Sequence, residues 1–188
     1  MKKIAIFASG TGSNARRIVE HFQHVEDCDI ALVISNRADA LVLKMAEEYN
    51  IDQLVIDRQI FYETDALLSV LKEFEIDFIA LAGFLWLIPE YLVGAYEKKM
   101  VNIHPALLPK YGGKGMYGKY VHQAVKEARE IESGITIHYV NTKYDEGDIV
   151  FQARCPIEKT DNPEEIARKV LKLEHEYFPK VIQKPLEA

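Results

Sequence analysis

Cysteine is scarce: only Cys28 and Cys155 occur among 188 residues, at a separation that no metal-ligand motif uses. The two read as buried, reduced thiols rather than a bridge, which points to a reducing, cytoplasmic compartment. Long apolar runs are missing too; none reaches the about 20 residues that cross a bilayer. The start, Met1-Lys2-Lys3, runs straight into a strand-like segment with no small-residue cleavage site, so no signal peptide is expected. An excess of basic charge is absent, with 23 Lys and Arg against 29 Asp and Glu and a net charge of −6. That disfavours a nucleic-acid binder, whose phosphate contacts need a basic surface, and favours small-molecule partners. Repeats, low-complexity tracts and linker-like stretches are also lacking. A single domain over residues 1–188 is therefore expected, long enough to bury on the order of 70% of its unfolded surface.

What the chain does contain is alternation. Apolar runs at Ile4 to Ala8, Ile30 to Ile34, Leu54 to Ile56, Phe78 to Ala82 and Val101 to Ile103 read as strands. Between them lie helical patterns: Asn14 to Phe22, Ala40 to Tyr49 behind an Asp39 cap, Ala66 to Phe74 behind a Thr64 cap, and Glu90 to Glu97. Later, Ile135, Ile137 and Tyr139 alternate with Thr136, His138 and Val140, and a short turn leads to a second strand from Ile149 to Ala153, which must be antiparallel to the first. A last helix opens on Asn162, Pro163 and Glu165, and Pro179 is expected to end it. These patterns predict an α/β fold, a three-layer α/β/α sandwich around a mostly parallel, mixed sheet.

Two segments carry chemistry. Ser9-Gly10-Thr11-Gly12-Ser13-Asn14 lies where a strand hands over to a helix, so free N–H groups point at an anion. Gly10, Gly12 and Ala15 satisfy a G-x-G-x-x-A dinucleotide pattern, but the second strand ends in Asn36-Arg37 with no acid for a ribose, which disfavours a nicotinamide enzyme. Ser13 and Asn14 suit a terminal phosphate, or simply cap the helix. In Val101-Asn102-Ile103-His104-Pro105, Asn102 and His104 share one face at the end of a strand, where α/β sheets bind ligands. An amide donor beside a titratable imidazole suits a developing oxyanion and a proton transfer; the same pair also suits the satisfaction of loop backbone.

Asn102-Ile103-His104-Pro105-Ala106-Leu107-Leu108-Pro109 resembles the N-I-H-P-S/A-L-L-P signature of the folate-dependent formyltransferases, a family with a Rossmann-like fold. Ser9 to Asn14 resembles the phosphate loop of the glycinamide ribonucleotide branch of that family. Leu81-Ala82-Gly83-Phe84 and Asp145-Glu146-Gly147-Asp148-Ile149-Val150 resemble two further family segments, in the family's order and across nearly the whole chain.

The resemblance implies that a substrate amine attacks the formyl carbon of 10-formyltetrahydrofolate, a co-substrate, with no metal. It implies that Asn102 supports the oxyanion, that His104 supports it and moves the proton, and that Asp145 raises the pKa of His104; acting as a unit, the three should give non-additive mutants. It places Thr11, Gly12, Ser13 and Asn14 at the ribonucleotide phosphate and Glu174 near the ribose. It makes Leu85, Trp86, Leu87, Ile88, Val140 and Asn141, with Asn102, the folate pocket. Independently, Glu174 shares a helical stripe with Ala167, Leu171 and Phe178, so it is a carboxylate on an apolar face that needs a partner. The expected partners are phosphorylated glycinamide ribonucleotide and a reduced folate, with neither nucleic acid nor membrane, in a monomer or weak homodimer.

Departures from the family pattern are also visible. Leu85-Trp86-Leu87 stands where bacterial members carry Met-Arg-Ile, leaving Trp86 as a core or a pocket aromatic. A bacterial arginine falls at Phe61 or Tyr62, and its contact is not carried over. The loop Lys110 to Gly118 is long and glycine-rich, a mobile lid or a plain connection. His21 and His24, near the end of the first helix, read as solvated or as partners of its C-terminal dipole, and His122 and His175 as structural, while His138 points to one face beside the site. The rival readings are a related transferase acting on methionyl-tRNA or a formyl-folate hydrolase, each expected to carry an added domain, and a non-catalytic nucleotide- or folate-binding module.

Overall fold

A computed structural model describes residues 1–186. Five parallel strands come first: β1 (Lys2–Phe7), β2 (Cys28–Ser35), β3 (Asp52–Val55), β4 (Phe78–Leu81) and β5 (Met100–His104). They are followed by β6 (Glu132–Tyr139), antiparallel to β5, and β7 (Ile149–Pro156), antiparallel to β6. The order across the sheet is β3-β2-β1-β4-β5-β6-β7. The chain thus builds outward from β1 in one direction and then restarts at β4 in the other, and the reversal opens a crevice at the carboxyl ends of β1 and β4.

The strands are apolar on both sides because helices cover both faces. Along β1 the side chains alternate: Ile4, Ile6 and Ala8 enter one core, Ala5 and Phe7 the other. The first core receives α1 (Ser13–Phe22), α2 (Leu41–Glu48), α6 (Lys119–Glu127) and α7 (Pro163–Leu186). The second receives α3 (Arg58–Tyr62), α4 (Ala66–Glu73) and α5 (Glu90–Ala95). This is the three-layer, Rossmann-like sandwich with a mixed sheet that the alternation predicts.

Three local expectations meet the structure differently. Pro179 does not end α7, which continues to Leu186. Phe178, Val181 and Ile182 on its buried face pack into the first core, and that packing outweighs one lost backbone bond. Asp39 does not cap α2; the guanidinium of Arg37 takes both its oxygens at 3.2 and 3.0 Å, and the helix starts after Ala40. Thr64 sits one residue too early to cap α4, accepting from the N–H of Ala66 at 3.3 Å while donating to the carbonyl of Ile60 at 3.0 Å. It joins α4 to α3, a one-turn helix that the apolar spacing does not reveal. At α7 the cap forms as read, with Asn162 and Glu165 exchanging backbone and side-chain bonds at 2.9 and 2.7 Å.

The turn between β6 and β7, residues 140–148, is closed tightly at its base. Tyr139 N–H donates to the Asp148 carbonyl at 2.9 Å, and a Cβ on Gly147 would overlap the Tyr139 carbonyl oxygen. Gly147→Ala should therefore cost about 2–4 kcal/mol in urea unfolding, through backbone displacement. An unchanged midpoint would show that the turn can open without loss.

Candidate active site

The loop between β1 and α1 is shaped by Gly12, which stands at φ +78°. A Cβ there would lie 2.9 Å from the Cα of Val42, so only glycine lets α2 approach this closely. No side chain caps α1, so neither Ser13 nor Asn14 is spent on capping, and the first N–H groups of the helix open onto the crevice. Ser9, buried, ties the switch point together: its hydroxyl donates to Asn36 Oδ1 at 2.6 Å and accepts from Leu85 N–H at 3.0 Å.

At the end of β5, Asn102 and His104 converge with Asp145 from the β6–β7 turn. Asp145 sits at φ +56°, in the left-handed region that Asp tolerates better than most residues. Its Oδ2 accepts from the backbone N–H of Gly113 at 2.9 Å and stands 3.5 Å from His104 Nδ1. Its Oδ1 stands 3.4 Å from Asn102 Nδ2 and 3.5 Å from His138 Nε2. The ring of His138 faces the Tyr139 carbonyl through Nδ1 at 2.9 Å, which leaves Nε2 to accept from Asn102 Nδ2 at 3.1 Å. His104 Nε2 donates to the Tyr111 carbonyl at 2.7 Å.

Burial pushes His104 below its ordinary pKa; the charge of Asp145 and the Tyr111 carbonyl pull it back, His138 adds to the lowering, and the net direction is down. Asp145 raises this pKa, as the resemblance implies, but desolvation outweighs its pull. For Asp145 burial acts upward, yet the neighbouring His138, the charge of His104 and the Gly113 N–H together hold it below the usual carboxylate range. The resting pair is neutral imidazole beside carboxylate.

All fourteen residues singled out in the sequence line one cleft of about 750 Å³: Thr11 to Asn14, Leu85 to Ile88, Asn102, His104, Val140, Asn141, Asp145 and Glu174. Glu174 has the partner its position demands. Asn14 Nδ2 donates to its Oε2 at 2.6 Å, across 160 residues of sequence. Burial raises the pKa of this carboxyl, and the Asn14 bond only partly opposes it. Trp86 serves both as wall and as packing: it lines the cleft and meets Phe61 and Tyr62 at ring distances of 5.5 and 5.8 Å. Where the bacterial arginine falls, Phe61 is fully buried and Tyr62 donates its hydroxyl to the Leu87 carbonyl at 3.0 Å. The cation at this wall is Arg58, 5.1 Å above the Trp86 ring. Asn141 spends its side-chain oxygen on the N–H of Lys143 at 2.9 Å.

The structure adds residues that the sequence reading passed over. His122, read as structural, lines the cleft from α6 and is buried; burial and then the proximity of His104 lower its pKa. Gly113 anchors the start of the glycine-rich loop on Asp145. His21, in the last turn of α1, is bonded to Gln183 at 2.6 Å. Cys28 and Cys155 are half-buried and not bridged to each other. Among the described residues no helix is long and apolar enough to cross a membrane, and no cluster of three His, Cys, Asp or Glu is arranged to hold a metal.

The family model for formyl transferases matches residues 2–182. Phosphoribosylglycinamide formyltransferase from Bacillus subtilis is 36% identical over 99% of this chain and 95% of its own length. The chloroplastic phosphoribosylglycinamide formyltransferase of Arabidopsis thaliana is 42% identical over 96% of this chain. This chain spans 64% of that protein and 60% of its counterpart in Vigna unguiculata. Among solved structures, glycinamide ribonucleotide transformylase 1 from Geobacillus kaustophilus superposes with a TM-score of 0.88 at 35% identity, over 99% of both chains.

Because the folded state raises the pKa of Glu174, it binds more protons than the unfolded chain above the ordinary carboxylate value of 4.5. The stability lost as pH rises through that window is thus assigned to this carboxylate. Glu174→Gln should raise Tm at neutral pH by about 2–4 °C and flatten its pH dependence; a lower Tm would show that the charge is stabilising where it stands.

Proposed function

The chain belongs to the formyl transferase family, and from that premise we propose that it transfers the formyl group of 10-formyltetrahydrofolate to the amine of glycinamide ribonucleotide, a step of purine biosynthesis. The observation that carries this reading is a single cleft that joins an uncapped helix start, fit for a phosphate, to a donor–imidazole–carboxylate cluster. The apolar wall of Leu85, Trp86, Leu87, Ile88 and Val140 suits the flat ring of a reduced folate, and it lies on the same cleft as the cluster. The loop from Thr11 to Asn14 holds the phosphate in this reading, and Glu174 accepts from the ribose hydroxyls.

The reaction forms one C–N bond and breaks another while one proton moves from the attacking amine to the leaving folate nitrogen. Asn102 Nδ2 stands 3.4 Å from Asp145 Oδ1, a long contact that it exchanges for a shorter one to the oxyanion of the substrate. Neutral His104 takes the proton of the amine. Both N–H groups of the imidazolium then have acceptors in place, Asp145 for one and the Tyr111 carbonyl for the other. The same proton is returned to the leaving nitrogen. Binding alone does not require this trio, which disfavours a non-catalytic module. We place the reaction in the cytoplasm, with small molecules as the partners and the protein as a monomer or weak dimer.

Absorbance-monitored loss of formyl from a 10-formyl folate should depend on glycinamide ribonucleotide and fall at least about 100-fold in His104→Ala. Turnover that ignores the acceptor would mean a hydrolase, and no turnover would remove the amine-acceptor reading. Since neutral His104 is the base, kcat should fall as pH drops through a pKa below the ordinary histidine value of 6.5. A rate that rises on acidification would assign His104 as an acid from the outset.

A further inference from the structure

His104 lies in one row with Thr136 and Gln152 across three strands, paired first with Thr136 on β6, which is in turn paired with Gln152 on β7. Beyond His104 the chain turns sharply through Pro105 to Tyr111, and the carbonyl at the end of that turn receives the His104 Nε2 proton at 2.7 Å. The turn has no ladder of its own, so its inward backbone groups need partners from elsewhere.

Two side chains supply them. The Thr136 hydroxyl, fully buried, donates to the Ala106 carbonyl at 2.7 Å and accepts from Leu108 N–H at 3.0 Å. Gln152 Nε2 donates to the Leu108 carbonyl at 3.0 Å and to the Thr136 hydroxyl at 2.9 Å. The hydroxyl thereby uses its single donor and both acceptor sites, and the amide uses both N–H groups. Nothing is left to swap. Beside the turn lies a cavity of about 290 Å³, bordered by Leu107, Leu108, Tyr111 and Gln152. Packing therefore does not lock the turn on that side, and the polar bonds set its place.

We propose that Thr136 and Gln152 are positioning residues for His104: they clamp the turn so that the Tyr111 carbonyl stays on Nε2 and presents Nδ1 to the reacting atoms. Neither side chain touches the cleft. The groups that face His104 are Asp145 from the β6–β7 turn, His138 from β6, His122 from α6 and the Tyr111 carbonyl. Only the last depends on the clamp. Its activity readout rests on the formyl-transfer reading; a titration of His104 does not.

The experiment compares wild type, Gln152→Leu, Thr136→Val and Thr136→Ser in steady-state turnover and in side-chain NMR titration of His104. Gln152→Leu and Thr136→Val should lower kcat about 10–100-fold, as displaced catalytic groups do, with both KM values within about twofold. Both should also lower the pKa of His104, because the carbonyl that holds its N–H drifts away. Thr136→Ser, which keeps the hydroxyl, should stay within about threefold of wild type and keep the wild-type titration. Should Gln152→Leu fail to fold, Gln152→Glu removes both donors at nearly the same shape. An unchanged kcat with an unchanged titration in the Leu and Val variants overturns the clamp, as does a loss confined to KM. If wild type itself shows no turnover, the formyl-transfer reading fails, and the titration still decides the clamp.

Discussion

The carboxylate of Asp145 is the constraint around which the cleft is arranged. It is nearly buried, and a buried charge persists only when its lone pairs are met. Here they are met by an amide of β5 and a backbone N–H of the glycine-rich loop, with the imidazoles of His104 and His138 each 3.5 Å away. One side chain thus fixes the relative positions of three segments remote in sequence. Only the Gly113 contact is short; the contact to Asn102 is long enough to be given up when a better acceptor is offered.

The sheet explains why such a cluster arises at this place. Reversal of strand order between β1 and β4 leaves a crevice with no crossover above it, and β5 ends at its edge. The two cores on either face hold β1 and β4 without exposed apolar residues, so the loops at their ends inherit a rigid base. β6 runs antiparallel to β5 and ends beside its start, with Tyr139 opposite Val101, so the β6–β7 turn that follows reaches back along β5 to set Asp145 against Asn102 and His104.

Much of this was legible in the sequence, for identifiable reasons. The strands of the buried sheet are unbroken apolar runs, and the Asn162–Glu165 box marks a helix start by local chemistry alone. The residues that meet at the cleft were legible because Asn102 and His104 lie in one contiguous motif and Asp145 in another. What stayed hidden depends on contacts between segments. Pro179 reads as a stop until the packing of Phe178 and Ile182 is seen. Asp39 reads as a cap until Arg37 claims it. His122 reads as a structural helix residue, although α6 turns it into the cleft. Thr136 sits in an alternating pattern like any core position, and nothing local shows that its hydroxyl carries the turn beyond His104.

The central claim is that Asp145 acts through His104, so that the two form one catalytic unit. A double-mutant cycle tests it most directly, with kcat measured for His104→Ala, Asp145→Ala and the double variant under acceptor-saturating conditions. The account predicts that the double variant loses about as much as the more damaged single one, a strong departure from additivity. Losses that multiply would contradict it, because the carboxylate and the imidazole would then be serving the reaction independently.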